Sequence, residues 1–323
     1  MKKYYIGCDL GGTNLRAGLV NIETGEISTL TSVATLAREG HDAVMARMVD
    51  LFRNVLETTG ISADQLGGIG IGVPGVLDLE KGETLFLPNL PGTWPHVPLR
   101  DTVSKAMGVP VGLLNDARSI TYGEWRFGAG RDVDTMACFT LGTGVGGGLV
   151  INNRLHLNLG GTAGELGHQT IEPNGMMCGC GNRGCLEAYA SASAMTTLAI
   201  KAVTQGLTTI IGQMVDYDLN KINPELIYKA ALEGDEIAND IFKEVGFRLG
   251  LAIGNIIVSV GPRKVVIAGG VAKAGDLILN PIRQTLKERV FVTHLDGIEI
   301  VQAELGNNAG VMGVAMYTAE HAK

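Results

Sequence analysis

The 323-residue chain has no run of about 18 uninterrupted apolar residues, so no membrane-spanning helix is expected. Its opening, Met1-Lys2-Lys3-Tyr4-Tyr5-Ile6-Gly7-Cys8-Asp9, reaches an acid and glycines too early for a secretory signal peptide. A cytoplasmic protein is therefore expected. Positive charge is in deficit: 26 Lys and Arg against 33 Asp and Glu give a net charge of -7, which argues against a nucleic-acid surface or an anionic membrane. Cysteine is scarce, at five; the count is odd and three lie within eight residues, so a disulfide framework is not expected. Charged residues make up only 18% and apolar ones 46%, which allows a large core and excludes disorder. The length suits two domains, or one large α/β domain.

What is abundant is glycine, 46 residues concentrated in short runs. Such runs suit tight turns and backbone that approaches a ligand. Lys3 to Asp9 reads as a strand, Gly11-Gly12-Thr13 as a turn and Arg16 to Val20 as the returning strand. His41 to Thr59 keeps a helical apolar period and stops at Gly60. Strands are expected at 66–73 and 109–114, with a short helix from about Ala117. The pattern restarts near residue 130, with a strand at 135–141, the turn Gly142-Thr143-Gly144-Val145-Gly146-Gly147-Gly148, and a return at 149–152. "DLGGTNLRAGLV" from Asp9 and "TLGTGVGGGLV" from Thr140 match as strand, Gly-Thr turn and strand, which suggests two related halves. Asn223-Pro224-Glu225 reads as a helix start. A long apolar helix is expected at 235–260, strands at 264–267 and 298–304, and helices at 277–290 and 308–320. Strands alternate with helices throughout, so the class is α/β, with the halves joined closely around a cleft.

Three glycine stretches can bring bare N–H groups to an anion: Gly11-Gly12-Thr13, Gly142-Thr143-Gly144 and Ala268-Gly269-Gly270. None is a G-x-x-x-x-G-K-[ST] loop. The first two also fail the dinucleotide fingerprint, since a strand and not a helix follows. Each alone reads as a tight hairpin; together they point to nucleotide phosphates. Asp9 beside the first turn suits Mg²⁺, directly or through water, unless it merely forms the turn. Asn115-Asp116 ends a strand. Its plain reading is a helix N-cap, and its functional reading is a general base that takes a proton from a substrate hydroxyl. Arg16 and Arg118 read as surface or ion-pair residues.

Cys178, Cys180 and Cys185, with His168 ten residues before the first, form the donor set of a closed, structural Zn²⁺ site. Cys8 and Cys138 sit in apolar strands and read as core residues. The metal would pin a loop carrying Glu165, His168 and Glu187, short polar arms suited to sugar hydroxyls. Asn89, in Leu87-Pro88-Asn89-Leu90-Pro91-Gly92, is a further hydroxyl-binding candidate or simply a turn residue.

Cys178-Gly-Cys-Gly-Asn-Arg-Gly-Cys-Leu-Glu187, preceded by Glu165-Leu-Gly-His168, resembles the cysteine-rich signature of the ROK family, bacterial sugar kinases and regulators that share the actin-like ATPase, ribonuclease H-like duplicated fold. Asp9-Leu-Gly-Gly-Thr-Asn14 resembles the family's first phosphate motif. Leu141-Gly-Thr-Gly-Val-Gly-Gly-Gly148 resembles its second, and Ile267-Ala-Gly-Gly-Val271 its adenosine-side motif. The resemblance spans nearly the whole chain. It implies a small N-terminal α/β domain at 1–118, joined by the C-terminal helix at about 308–323, and a larger domain at 119–307 with the zinc loop. It also implies ATP-dependent phosphorylation of a hexose at its 6-hydroxyl, glucose foremost, with Asp116 as base. Asn89, Asn115, Asp116, Glu165, His168 and Glu187 would hold the sugar. Asp9, Gly11, Gly12, Thr13, Asn14, Gly142, Thr143, Gly144, Gly146, Gly269 and Gly270 would hold Mg-ATP. His168, Cys178, Cys180 and Cys185 would hold zinc. One departure stands out: Leu114 and Arg118 flank the Asn-Asp-Ala core where the family often has an acid or Asn before it and Asn after it.

The alternatives are a kinase for another hexose, such as allose, fructose or N-acetylmannosamine, or a sugar-binding regulator without activity. The family's regulators carry an N-terminal winged helix-turn-helix; with the first strand expected from residue 3, none is expected here. A zinc-knuckle nucleic-acid module would need basic and aromatic residues around the cysteines, and only Arg183 and Tyr189 are near. No nucleic-acid or membrane partner is expected, and a homodimer or homotetramer is.

Overall fold

The structure is a computed structural model in which residues 2–322 are described. The chain forms two compact units. The first comprises Met1–Asp132, Gly148–Gly164 and Glu304–Lys323, and the second Val133–Gly147 and Glu165–Ala303. The first unit therefore runs beyond the expected division at residue 118, which falls inside the helix Asp116–Phe127.

The first unit is built on a five-stranded sheet ordered β3-β2-β1-β4-β7, from β1 (Tyr4–Leu10), β2 (Asn14–Asn21), β3 (Ile27–Ala34), β4 (Leu66–Val73) and β7 (Val111–Asn115). Two short strands, β5 (Val76–Asp78) and β6 (Glu83–Phe86), pair separately. β1 and β2 form the expected hairpin, with Asp9 opposite Arg16, and β4 and β7 run parallel to β1. Central β1 and β4 are buried almost throughout, so they read as continuous apolar runs. Edge strand β3 alternates half-buried and exposed residues. The helix Ala309–His321 lies directly on the sheet: a Cβ at Gly7 would stand 1.9 Å from the Val311 carbonyl oxygen, and one at Gly70 2.2 Å from that of Val314. Glycine is required there because the two backbones touch.

The second sheet has the same order of connections, β10-β9-β8-β11-β12, from β8 (Met136–Leu141), β9 (Val145–Ile151), β10 (Arg154–Leu155), β11 (Lys264–Ala268) and β12 (Glu299–Gln302). A hairpin at one edge is followed by parallel strands in both sheets, β8–β11–β12 here and β1–β4–β7 in the first. The self-match of the two glycine motifs is thus a duplication of topology. In the second unit the helix Glu236–Val260 carries Gly246, Gly250 and Gly254 on one face, where Cβ atoms would meet Pro281, Thr285 and Val290. That stripe lets the helix Asp276–Arg289 approach closely. Among the described residues no helix is long and apolar enough to cross a membrane.

Candidate active site and metal centre

In the first unit the carboxyl ends of the parallel strands gather the candidate residues. Register places Asp9 of β1 beside Gly72 of β4, and Val73 of β4 beside Asn115 of β7. Open α/β sheets bind ligands at such ends. Asp9 is half-buried. Burial pushes its carboxyl above the ordinary aspartate value, and the opposing Arg16 guanidinium pulls it partly back. The first glycine turn is held by main chain: Gly11 N–H donates to the Asn14 carbonyl at 2.9 Å, and the Thr35 hydroxyl donates to the Gly11 carbonyl at 2.7 Å. A Cβ at Gly12 would lie 3.0 Å from the carbonyl oxygen of Asn89, so the Asn89 loop packs against this turn. Thr13, Asn14 and Asn89 are exposed.

Asn115 caps the helix Asp116–Phe127. Its Oδ1 accepts from the backbone N–H of Ala117 at 3.0 Å and of Arg118 at 3.3 Å, and from Arg118 Nη1 at 3.0 Å. Its Nδ2 donates to the Gly75 carbonyl at 3.1 Å, which leaves one amide hydrogen for a hydroxyl. Asn115 is thus the helix N-cap of the plain reading. Asp116, the first residue of the helix, accepts from Ala117 N–H through Oδ1 at 2.8 Å. Arg118, expected as a surface or ion-pair residue, is not at the surface: it is fully buried, with its guanidinium spread over Asn115 and the carbonyls of Thr162 and Ala163.

In the second unit two of the three glycine stretches meet. Gly269, at φ +91°, follows β11, and a Cβ there would stand 2.3 Å from the Leu141 carbonyl oxygen at the end of β8. Gly142 follows Leu141 at once, and a Cβ on it would meet nothing within 4 Å. Gly142 N–H donates to the Gly144 carbonyl at 3.0 Å, and the Gly142 carbonyl accepts from Ala192 N–H at 2.9 Å. The Ser193 hydroxyl donates to the Thr143 carbonyl at 2.9 Å. Gly142, Thr143, Gly269 and Gly270 are exposed, and Gly144 and Gly146 half-buried.

His168, Cys178, Cys180 and Cys185 bring one donor atom each to within 4.8 Å of one another, so the four can hold a metal ion. Cys178 Sγ lies 3.7 Å from His168 Nδ1, and Cys180 Sγ 3.7 Å from Cys185 Sγ. Burial pushes the Cys178 thiol up to about 12 and raises Cys185 as well, while a backbone hydrogen bond from Asn182 lowers Cys180. Cys8 and Cys138 are buried strand residues, as expected. Glu187 adjoins this cluster and the second turn together: Oε1 lies 3.7 Å from Cys178 Sγ, and Oε2 accepts from Val145 N–H at 3.0 Å. Glu165 is exposed and His168 half-buried. The support that Glu187 gives to the turn was not foreseen, because 42 residues separate it from Val145 and no local pattern links them.

The chain matches the ROK family over residues 5–321, and it belongs to that family. It has the actin-like ATPase fold of two related α/β units. A glucokinase from Thermotoga maritima is 36% identical over 98% of this chain and 97% of its own length. The crystal structure of a ROK family glucokinase from Streptomyces griseus, in complex with glucose and AMPPNP, matches with a TM-score of 0.82 and 33% identity, over 98% of this chain and all of the other. A xylose repressor from Caldicellulosiruptor bescii is 31% identical, over 98% of this chain and 78% of its own length.

Proposed function

We propose that this chain transfers the terminal phosphoryl group of ATP to the 6-hydroxyl of a hexose, glucose foremost. As a class it is an ATP-dependent sugar kinase, in keeping with its glucokinase relatives. The observation that carries the reading within the molecule is Asp116. The end of β7 and the cap at Asn115 fix it at a helix N-terminus, in the same row of strand ends as Asp9 and the first glycine turn. In this mechanism the Asp116 carboxylate takes the proton of the 6-hydroxyl as the oxygen attacks the γ-phosphorus. The bond to the β,γ-bridging oxygen breaks, ADP leaves, and the proton passes from Asp116 to water.

Backbone amides of Gly12 and Thr13, and of Thr143 and Gly144, are assigned to the phosphate oxygens, and Gly269 and Gly270 to the adenosine side. Asn89, Asn115, Glu165, His168 and Glu187 are assigned to the sugar hydroxyls. Mg²⁺ bound with ATP would neutralise phosphate charge, and Asp9 is assigned to hold it or its water. The cysteine cluster suits Zn²⁺, since three thiols and an imidazole are a structural zinc donor set and all four donor atoms lie within 4.8 Å of one another. Zinc there would brace the loop that carries His168 and Glu187.

The test is turnover on a panel of glucose, allose, fructose and N-acetylmannosamine with Mg-ATP or polyphosphate as donor. Glucose 6-phosphate formation is expected, and no turnover on any sugar would reject the kinase. Asp116→Asn should lower kcat by about 10²–10⁴ with the fold intact; near-normal turnover would remove Asp116 as base. The similarity to a xylose repressor favours one second reading, a sugar sensor, which saturable sugar binding without turnover would support. A homodimer or homotetramer in the cytoplasm remains the expected assembly, measurable by light scattering.

A further inference from the structure

The buried arginine at position 118 has a use in the structure. Arg118 is one of the largest fully buried side chains. Its Nε donates to the Ala163 carbonyl at 3.1 Å; its Nη2 donates to Ala163 at 2.9 Å and to Thr162 at 3.3 Å; its Nη1 donates to Asn115 Oδ1 at 3.0 Å. One guanidinium therefore joins the cap residue next to Asp116 to a stretch 44 residues on that immediately precedes Glu165. Gly164, at φ +87°, completes the packing: a Cβ there would lie 3.3 Å from Gly148 Cα and 3.8 Å from Arg118 Nε. A buried charge of this kind is expensive unless its donors are satisfied, and the fork reaches three acceptors that no ammonium could span together.

We infer that Arg118 is a positioning residue for sugar recognition. It holds Asn115 with its oxygen engaged and one Nδ2 hydrogen over, and it fixes the carbonyls of Thr162 and Ala163 that precede Glu165. Asn115 then meets the sugar only as a donor, to a hydroxyl oxygen that accepts. The inference rests on the sugar-kinase reading for its substrate, though not for its geometry.

The experiment compares wild type, Arg118→Lys and Gly164→Ala. Lysine keeps the charge but loses the fork; alanine at the left-handed Gly164 displaces the same stretch from the other side. Both variants should raise the KM for glucose by about tenfold or more, leave the KM for ATP within about twofold, and flatten discrimination across the sugar panel. Hydrogen exchange in the unliganded protein should quicken in the peptide spanning 158–165 and not in 9–15. Unchanged sugar KM with a folded Arg118→Lys, or sugar and ATP KM rising together, would overturn the positioning role. If Arg118→Lys does not fold, Gly164→Ala carries the same readouts. A wild type without turnover would reject the kinase instead. The exchange comparison would still decide the geometry, with equal protection of 158–165 in wild type and variant ruling it out.

Discussion

The two glycine turns look alike in sequence and are supported by different means. Main chain and a neutral hydroxyl hold the first: the Asn14 and Asn89 carbonyls crowd it and Thr35 ties it. A carboxylate holds the second, with Glu187 accepting from Val145 N–H while its other oxygen stands beside Cys178. The first turn's shape therefore follows from the hairpin and its neighbours. The second turn's shape depends on whether the cysteine cluster keeps Glu187 in place. The two sheets share the backbone device and differ in what stabilises it.

Breaking the cluster should separate the two turns most sharply. Cys180→Ser should lose zinc by elemental analysis and lower turnover at least about a hundredfold, since a metal brace contributes to folding of its loop. Hydrogen exchange should quicken across 142–146 and stay unchanged across 9–15. Zinc retained at full stoichiometry would contradict the ligand set, and equal loosening of both turns would contradict the comparison. Acid should act in the same direction. The Cys178 and Cys185 thiols are raised by burial, so they are protonated at neutral pH and metal binding must expel their protons. Apparent zinc affinity should fall as pH drops from 8 to 6, by up to about tenfold per thiol per unit. Chelator competition that gives a flat profile would place the metal elsewhere.

Paired glycine substitutions sharpen the contrast at smaller cost. In Gly144→Ala the new Cβ would stand 2.2 Å from Glu187 Oε2, the end of a flexible side chain, which can swing away and give up the bond to Val145. The expected loss is about 1–2 kcal/mol of stability, with a higher KM for ATP. Gly12→Ala meets a backbone carbonyl, so its effect should not vary with zinc content. In Gly142→Ala the Cβ meets nothing, so an unchanged Tm with a raised ATP KM would show that ligand, not fold, requires bare backbone there. An unchanged KM would count against phosphate at the second turn.

The elements legible in the sequence were those set by short-range patterns. His41–Thr59 emerges with the expected bounds because an apolar period ends at a glycine, and the long helix begins at Glu236, capped by Asp235. Both glycine hairpins and the cysteine cluster were legible for the same reason. Strand β3 was not foreseen, since an edge strand with one wet face carries little apolar signal. Nor was the helix Leu99–Met107, which buries only Leu99 and Val103. Gly148–Gly164 belongs to the first unit through non-local contacts that no spacing announces, and those contacts also hide Arg118. The candidate residues were legible as types; which of them support one another was not.

The smallest effect concerns Asp9, which has no counterpart at the second turn, where Thr140 takes the equivalent place in the motif. Burial raises its carboxyl, so ionisation at neutral pH costs the unliganded fold something that Thr140 does not. The sign is that of a group with a raised folded value: its contribution is present below the ordinary value near 3.8 and is lost as pH climbs through the higher folded one. Asp9→Asn should therefore raise the Tm of the nucleotide-free protein at pH 7 by about one or two degrees. The gain should vanish as pH falls below about 3.8. The same variant should bind Mg-ATP less well, because the carboxylate whose burial lowers stability is the one assigned to the metal. A variant that is neither more stable at pH 7 nor weaker toward Mg-ATP would make Asp9 an ordinary turn residue, and the two turns would then differ only in what props them.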